Sequence, residues 1–385
     1  MSDGPTLTVE NFAQIKKASI TFGDLTVLVG PQATGKSLLL QWLKFAIDGG
    51  EVFHALKESG QDVKSIPAII DGLFGEGMAS AWNPGETKAT YKNKILFEGD
   101  WKKGLKRPRE GSVFFIPAHR ALLLAEGWPA PFQKLGTDTP VVARLFSQNL
   151  YLRFSGRGEA ALFPIEGNLK KQYREAIDRA VFHGGKVQLE KAGLRRRLRL
   201  AFGEMLLPYM TWTAGQREFT PLLLGLYHVL LPRSGRKRPN VDWVVIEEPE
   251  MGLHPEAITV VMLLVLDLLW RGYRVVVSTH SPLILEVLWA IQTLRASRAR
   301  WHILRDAFGA QGSSLRAVMQ TALRKEYRTF YLDLDGESDR VAAHDISKLD
   351  PDSTDTREAD WGGLTRFNSN FGSAVRRAVN EAESK

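Results

Sequence analysis

The stretch that decides the fold is Leu25-Thr26-Val27-Leu28-Val29, followed by Gly30-Pro31-Gln32-Ala33-Thr34-Gly35-Lys36-Ser37-Leu38. The apolar run 25–29 predicts a buried strand, and the helix formers between Lys36 and Gly49 predict a helix. Residues 30–37 between them match the P-loop pattern. In such a loop the backbone N–H groups surround a β-phosphate, Lys36 reaches β/γ oxygens and Ser37 ligates Mg²⁺. A chance glycine-rich turn is the alternative, and the flanking strand and helix disfavour it.

A second informative segment joins a short apolar strand to several carboxylates. Residues 243–246 are Trp-Val-Val-Ile, typical of a strand buried on both faces, and Glu247, Glu248 and Glu250 follow. Taken alone, this pattern is a solvated strand end. With a P-loop in the same chain, we interpret Glu247 as part of a magnesium shell and Glu248 as the base that activates water. Glu250 is the weaker candidate, because it can simply cap the turn before Pro255.

A helix and a further strand follow these carboxylates. Pro255 to Trp270 is apolar nearly all round, with Arg271-Gly272 as its end signal, and residues 274–278 form another apolar run. The order strand, helix, strand predicts a parallel α/β sheet. Thr279-His280-Ser281 would then lie at the carboxyl edge of that sheet, where ligands bind. This position favours a γ-phosphate sensor for His280 over a structural histidine.

Thr213-Ala214-Gly215-Gln216 opens a predicted apolar helix. Small residues and a glycine leave the amide end of such a helix free for an anion. An ordinary helix cap explains the same residues equally well.

Length and composition limit the classes of protein to which the chain can belong. The 385 residues predict two to three lobes, and 44% hydrophobic with 24% charged residues exclude extended disorder. The absence of cysteine excludes disulfides, Cys-zinc sites and a catalytic thiol. The net charge of +8 favours polyanionic partners. No signal peptide or apolar run long enough to span a bilayer is found, so we expect a soluble cytoplasmic protein with no membrane partner.

The predicted fold class is α/β, a P-loop NTPase with a mixed sheet core and an inserted helical or irregular lid. We expect an amino-terminal half of the core over residues 1–55 and the lid over 56–205. The second half of the core would occupy 206–330, with a polar appendage over 331–385.

Taken together and in this order, the four segments resemble the ABC-type ATPase head. The closer resemblance is to bacterial and phage-defence ATPases related to RecF and SMC heads, including the ATPase parts of OLD-family nucleases and of the Septu, retron-associated and PARIS systems. Residues 5–55 and 205–290 carry it, through Val9-Glu10-Asn11-Phe12, the P-loop, Glu247-Glu248-Pro249-Glu250 with Leu253-His254-Pro255, and Thr279-His280-Ser281. Residues 116–120, Ile-Pro-Ala-His-Arg, match only loosely.

The resemblance implies that residues 30–38 hold ATP, Ser37 and Glu247 support Mg²⁺, Glu248 activates water and His280 senses the γ-phosphate. It also implies that residues 213–216 act in trans on ATP held by a second subunit. The sequence departs from the family pattern at Gln32, Thr213-Ala214 and Glu247. The family's Q-loop glutamine has no clear match; Gln133 and Gln148 are the candidates.

These implied roles make ATP the link between two heads of a homodimer or higher homo-oligomer, with slow turnover acting as a switch. The leading hypothesis is a sensor or scaffold of anti-phage defence that controls a separate nuclease or toxin effector, because no nuclease signature is found in the sequence. A RecF-like DNA-binding ATPase of repair or chromosome maintenance is the alternative. The ATPase subunit of a transporter is a third, disfavoured by the Glu-Glu-Pro-Glu segment.

The function of two kinds of charged segment remains open. Four basic segments could follow a nucleic-acid backbone or be ordinary solvated surface: residues 102–103, 106–109, 195–199 and 233–238. Asp333, Asp335, Glu337 and Asp339 have neither calcium-loop nor nuclease spacing, which favours an acidic loop over a second metal site.

Overall fold

The computed structural model describes residues 4–105, 111–124, 127–156, 160–165, 167–192, 195–231, 235–335 and 340–383. The strands are β1 (Thr6–Phe12), β2 (Ile15–Thr21), β3 (Leu25–Val29), β4 (Lys88–Tyr91), β5 (Lys94–Ile95), β6 (Val113–Ile116), β7 (Ala160–Phe163), β8 (Lys186–Ala192), β9 (Arg195–Phe202), β10 (Met205–Pro208), β11 (Trp243–Glu247), β12 (Arg274–Thr279), β13 (Tyr327–Asp335) and β14 (Arg340–Asp345). The helices are α1 (Lys36–Glu58), α2 (Ile66–Phe74), α3 (Trp101–Leu105), α4 (Val141–Ser155), α5 (Lys171–Ile177), α6 (Ala214–Val229), α7 (Pro255–Trp270), α8 (Pro282–Ala296), α9 (Trp301–Ala307), α10 (Arg316–Ala322), α11 (Thr356–Ala359) and α12 (Arg366–Glu383).

Ten of the described strands form one mixed sheet in the order β5-β4-β1-β2-β14-β13-β3-β12-β11-β6. The five strands from β13 to β6 run parallel to one another, whereas β1 pairs antiparallel with both β2 and β4. Parallel strands are buried on both faces, which explains why β3 and β11 read as continuous apolar runs rather than alternating ones. The predicted α/β fold class with a mixed sheet core is confirmed.

Successive side chains of the central strands enter two different cores. Leu28 of β3 and Val276 of β12 pack with α1 and α2 on one face of the sheet. Val27, Val275 and Val277 pack with α6, α7, α8 and α10 on the other. Helix α7 has the bounds that its apolar run and end signal predict, and 12 of its residues are buried. The sheet is therefore covered on both sides, and its strand ends form the accessible edges.

A second sheet of four antiparallel strands, β10-β9-β8-β7, lies beside this core. Its apolar residues Phe163, Leu189 and Leu200 belong to the same buried cluster as Phe219 of α6. Phe182 packs between the two, with its ring centroid 4.7 Å from Phe163 and 6.0 Å from Phe219. The small sheet thereby supports the first half of α6.

The large sheet includes strands from two regions that we expected to lie outside the core. Within residues 56–205, β4 pairs with β1 and β6 pairs with β11, so the lid does not begin at residue 56 as one continuous insertion. Strand β13 begins at Tyr327 and so crosses the expected boundary at residue 331, and with β14 it lies inside the sheet between β3 and β2, so residues 331–385 are not a peripheral appendage throughout. Pairing between strands this distant in sequence leaves no local signal.

The acidic segment that begins at Asp333 also differs from the expected loop, because β13 continues to Asp335. Glu337 and Asp339 lie outside the described residues. Helix α1 likewise passes the expected end at Gly49 and continues to Glu58, with non-helical angles at Asp48. Among the described residues, no helix is long and apolar enough to cross a bilayer.

Candidate functional site

Three strand ends bring the predicted site residues to one edge of the sheet. In the ladder, Val29 of β3 pairs with Thr279 of β12, and Glu247 of β11 pairs with Ser278 of the same strand. The residues that follow these strands are Gly30, Glu248 and His280, so all three leave the sheet side by side. The carboxyl edge of a parallel sheet is where α/β folds bind ligands.

The P-loop conformation explains its first glycine. Gly30 has φ +148°, and a Cβ there would lie 2.3 Å from the carbonyl oxygen of Leu332 in β13. Only glycine allows this approach between the loop and the neighbouring strand. Two side chains fix the rest of the loop: Thr34 Oγ1 donates to Pro31 O at 2.9 Å, and Gln14 Nε2 donates to Ala33 O at 2.9 Å. The loop is therefore held in shape by the protein itself.

Lys36 and Ser37 are the first two residues of α1. The Lys36 Nζ donates to the carbonyl oxygens of Gly30 and Pro31, each at 2.8 Å, and so lies inside the loop. Burial lowers the pKa of Lys36 to about 8, although the charges of Glu248 and Glu250 act in the opposite direction. A bound anion would raise the lowered pKa of Lys36 and so favour the ammonium form.

Glu247 is buried, with one carboxylate oxygen bonded and the other without a partner. Its Oε2 accepts a hydrogen bond from Ala118 N at 3.1 Å. Its Oε1 is buried and makes no hydrogen bond of good geometry with any described residue. Burial raises the pKa of Glu247 to about 7, while the nearby Ser37 hydroxyl and the Ala118 amide lower it. A buried carboxylate oxygen without a partner beside a hydroxyl is a donor set that fits Mg²⁺.

Glu248 and His280 face each other across the edge. His280 Nε2 lies 3.5 Å from Glu248 Oε1, and both side chains are 30% exposed. The interaction with His280 lowers the pKa of Glu248, with a smaller contribution from Lys36. Glu248 has φ +42°, a strained angle for a residue with a side chain, and its N–H donates to Ser278 O at 2.9 Å. The strained turn directs an ionised carboxylate toward the space near Lys36.

Glu250 forms hydrogen bonds at the sheet edge that the sequence did not predict. Its Oε1 accepts hydrogen bonds from Thr279 Oγ1 at 2.7 Å and from His280 N at 2.6 Å. Glu250 thus ties the turn after β11 to the turn after β12. The interpretation of Glu250 as a cap for the turn before Pro255 is incomplete, because its carboxylate accepts hydrogen bonds from residues at the end of β12.

Arg120 is the residue that sequence reasoning missed. It is fully buried, and its guanidinium donates to the carbonyl oxygens of Glu218 (3.1 Å), Glu247 (3.0 Å) and Glu248 (3.3 and 3.4 Å). Burial lowers the pKa of Arg120, against the opposing charges of four nearby glutamates. The only available signal was the loosely matched segment 116–120 after β6, which gave no role for the arginine.

Residues 213–216 begin α6 next to the loop that follows Glu250. Thr213 and Gln216 form a reciprocal capping box, and Gln216 Nε2 also donates to Val181 O at 3.2 Å. A Cβ on Gly215 would lie 3.0 Å from Gly252 O, so the helix start packs closely on that loop. Thr213 and Ala214 are exposed, whereas Gln216 is buried and occupied by internal bonds. The action of this segment in trans stays a prediction.

The candidate Q-loop residues are not joined to this edge by any contact in the described part of the chain. Gln148 Oε1 accepts a hydrogen bond from Phe132 N at 2.8 Å and so fixes the turn before α4. Gln133 lies in that same exposed turn. The segment after β6 contacts the carboxylates through the backbone N–H of Ala118, which donates to Glu247, and not through a glutamine.

Comparison with known proteins is consistent with this geometry. Residues 212–286 match the family model described as "AAA domain, putative AbiEii toxin, Type IV TA system". The Old nuclease of Escherichia phage P2 is 21% identical over 364 residues, which cover 76% of this chain and 59% of the nuclease. The chain thus spans about three fifths of the length of that relative.

Two solved SMC heads are similar at low identity. The SmcHead bound to the C-winged helix domain of ScpA has a TM-score of 0.45 at 10% identity, covering 89% of this chain and 97% of that one. The SMC head domain from Thermotoga maritima has a TM-score of 0.36 at 12% identity, covering 90% and 99%.

The fold and the residues at the sheet edge are those of a P-loop NTPase domain, and residues 212–286 are similar to an AAA domain. In sequence, the chain is similar to the Old nuclease over part of that protein's length.

Proposed function

We propose that the protein binds ATP at residues 30–38 and hydrolyses it at the carboxyl edge of β3, β11 and β12. The observation that supports this most is the convergence of Lys36, Glu248 and His280, which lie far apart in sequence, around the end of one P-loop. The lysine and the free amides of the loop would hold the phosphates.

Mg²⁺ fits the same edge, with Glu247 Oε1 and Ser37 as its protein ligands. When bound, the ion would neutralise phosphate charge and polarise the β/γ bridge. The chain itself keeps Glu247 Oε1 buried and without a hydrogen bond. The other oxygen, Oε2, is held by the backbone N–H of Ala118. Magnesium takes its remaining ligands from phosphate and water.

Glu248 is the general base of this proposal. Its lowered pKa keeps it ionised at neutral pH, so it can accept a proton from water as the water oxygen attacks the γ-phosphorus and the bond to ADP breaks. His280, 3.5 Å from this carboxylate, would orient it and sense the γ-phosphate. Lys36 would compensate charge that develops on the phosphoryl oxygens.

We also propose that two chains close around ATP and that this closure controls a separate effector in anti-phage defence, with slow turnover. The exposed start of α6 at Thr213 and Ala214 supports a contact in trans with nucleotide held by a second copy. The similarity to the AbiEii-type model and to the Old nuclease supports the defence setting. Phage plating on cells that carry the natural operon, with and without Lys36→Ala, tests this part.

The ATPase assignment is tested with four purified proteins: wild type, Glu248→Gln, Lys36→Ala and the control Glu58→Gln at the exposed end of α1. We expect Glu248→Gln to retain ATP, to hydrolyse it at least about 100-fold more slowly, and to form a dimer with ATP in light scattering. Lys36→Ala should lose ATP binding, and Glu58→Gln should match wild type. Equal turnover by Glu248→Gln and wild type would refute the role of Glu248.

A further inference from the structure

A pocket of about 480 Å³ lies between the end of α8 and the starts of α9 and α10, and it is lined mainly by arginines. Five of them are exposed: Arg295, Arg298, Arg300, Arg316 and Arg324. Trp301 forms part of the wall. No Asp or Glu is among the lining residues within the described part of the chain.

The positive charge of this pocket is not compensated within the described residues. Arg298, Arg300, Arg316 and Arg324 make no side-chain hydrogen bond or ion pair there, and Arg295 donates only to the carbonyl oxygen of Lys325 at 3.1 Å. Like charges in one concave site repel one another, which disfavours the folded state unless an anion binds. The pocket is therefore a candidate anion site rather than a stabilising salt-bridge network.

The basic segments noted from the sequence differ from the pocket, because some of their cations are paired with carboxylates. Lys103 pairs with Asp100, Arg199 pairs with Glu190 and Lys237 pairs with Asp242, while Lys102 donates to Lys64 O. Residues 106–109 and 233–234 lie outside the described residues. Three described cations of those segments, Lys103, Arg199 and Lys237, have a carboxylate partner, whereas no acidic side chain is among the described lining of the arginine pocket, which makes the pocket the stronger candidate.

The backbone at the pocket favours a functional reason for its arginines. Arg298 has φ +52° immediately after α8, a left-handed position at a helix end that usually holds glycine. In this chain an arginine occupies the position despite the strain, and Arg298 and Arg300 both line the pocket. Helix geometry alone would be better satisfied by glycine.

The chemistry of the lining indicates phosphate. Arginine has a planar guanidinium that binds phosphate through two parallel hydrogen bonds, which lysine does not match. Several guanidinium groups spread over one groove suit a ligand with several phosphates in a row. The half-buried Trp301, held by the guanidinium of Arg305 at 5.2 Å, adds an aromatic wall on which a base can stack.

We propose that this arginine pocket binds the phosphate backbone of a nucleic-acid strand. The pocket lies away from the ATP site, because Arg324 precedes the start of β13 and Tyr327 pairs with Leu25 at the opposite end of β3 from the P-loop. Helix α8 spans the distance: it begins just after His280 and ends at Ala296, about 22 Å away for 15 residues. The inference is independent of ATP hydrolysis and goes beyond the proposed function.

The test is fluorescence anisotropy without nucleotide, using labelled single-stranded and duplex DNA of about 30 nucleotides at several salt concentrations. Arg300→Glu/Arg316→Glu should weaken binding at least about 10-fold and reduce the slope of log affinity against log salt by about 2. The control Arg376→Glu/Arg377→Glu on the exposed helix α12 changes net charge equally and should bind nearly as wild type does. A milder pair, Arg300→Gln/Arg316→Gln, should give an intermediate loss if the reversal variant folds poorly by circular dichroism.

Three results would overturn the proposal. Wild type could fail to bind either DNA at low salt. The two charge-reversal variants could weaken binding equally, which would indicate a general effect of net charge. The protein could bind vesicles of anionic phospholipid through these arginines while ignoring DNA, which would assign the pocket to a membrane surface.

Discussion

The buried guanidinium of Arg120 donates to the backbone carbonyl oxygen of Glu248 through both of its terminal nitrogens, at 3.3 and 3.4 Å. The same guanidinium donates through Nε to the carbonyl oxygen of Glu218 in α6, at 3.1 Å. One side chain therefore joins the turn that presents the proposed base to the helix whose start is predicted to act in trans. In the proposed dimer, a shift of α6 on closure would have a direct route to Glu248.

We predict that Arg120→Met lowers kcat by at least about 10-fold and lowers the free energy of unfolding by roughly 2–4 kcal/mol, because several buried carbonyl oxygens lose their donor. Arg120→Lys keeps the charge but not the fork of donors, so it should recover part of the stability and little of the kcat. Urea unfolding and steady-state ATPase assays measure the two effects. A fully active Arg120→Lys would mean that charge alone matters at this position.

Glu250 is predicted to act by positioning His280. Glu250→Ala removes the acceptor for Thr279 Oγ1 and for the amide of His280, each a bond to a charged group worth about 1.5–3 kcal/mol. We expect kcat to fall about 10-fold or more while ATP affinity changes little. Glu250→Gln keeps an acceptor oxygen and should recover most of the activity, measured as separate kcat and KM values. If Gln is as damaging as Ala, the charge beside Lys36 is the operative property.

The sequence predicted the parts of the site that depend on local pattern and missed those that depend on distant contacts. The P-loop, α7 and the strands before Glu247 and Thr279 each have a signal within a few residues. Arg120 is one arginine after a four-residue strand, and nothing near it in sequence shows that Glu218 and Glu248 surround it. Asp333 and Asp335 alternate with leucines at the end of β13, so the end of a central strand resembled the start of a solvated segment. Long-range pairing with β3 decides its place.

Acid stability should depend on His228 of α6. Its ring stacks on Phe114 with centroids 4.5 Å apart, and burial lowers the pKa of His228 to about 3, assisted by the charges of Arg238 and Arg153. The folded state keeps this imidazole neutral while the unfolded state takes up a proton below pH 6.5, so the unfolded state binds more protons and stability falls as the pH falls. Between pH 6.5 and 4 the loss is on the order of 3 kcal/mol.

The measurement is urea unfolding at several pH values for wild type and for His228→Phe, which keeps an aromatic ring against Phe114. The variant should lose less stability than wild type over the same interval, although acidic groups elsewhere contribute equally to both proteins. Parallel curves for the two proteins would contradict the prediction.

The kink of α1 gives the last prediction, because it joins the P-loop helix to the edge strand β6. Lys44 Nζ donates to Asp48 Oδ2 at 2.7 Å, to Glu51 and to the carbonyl oxygen of Val113, and it is almost completely buried. Asp48 in turn accepts from the amides of Ser112 and Val113 at the start of β6. The two carboxylates raise the pKa of Lys44 despite its burial, so the ammonium form is retained.

Lys44→Met should lower the free energy of unfolding by about 3–5 kcal/mol, since it leaves the buried Asp48 carboxylate without its counter-ion. The double variant Lys44→Met/Asp48→Asn should be more stable than the single one, because the uncompensated charge is gone. Thermal and urea unfolding of the two variants and wild type give the comparison, with Lys57→Met at the exposed end of the same helix as the control. A double variant less stable than Lys44→Met would show that the Asp48 bonds to β6, rather than the buried ion pair, dominate the energetics of the kink.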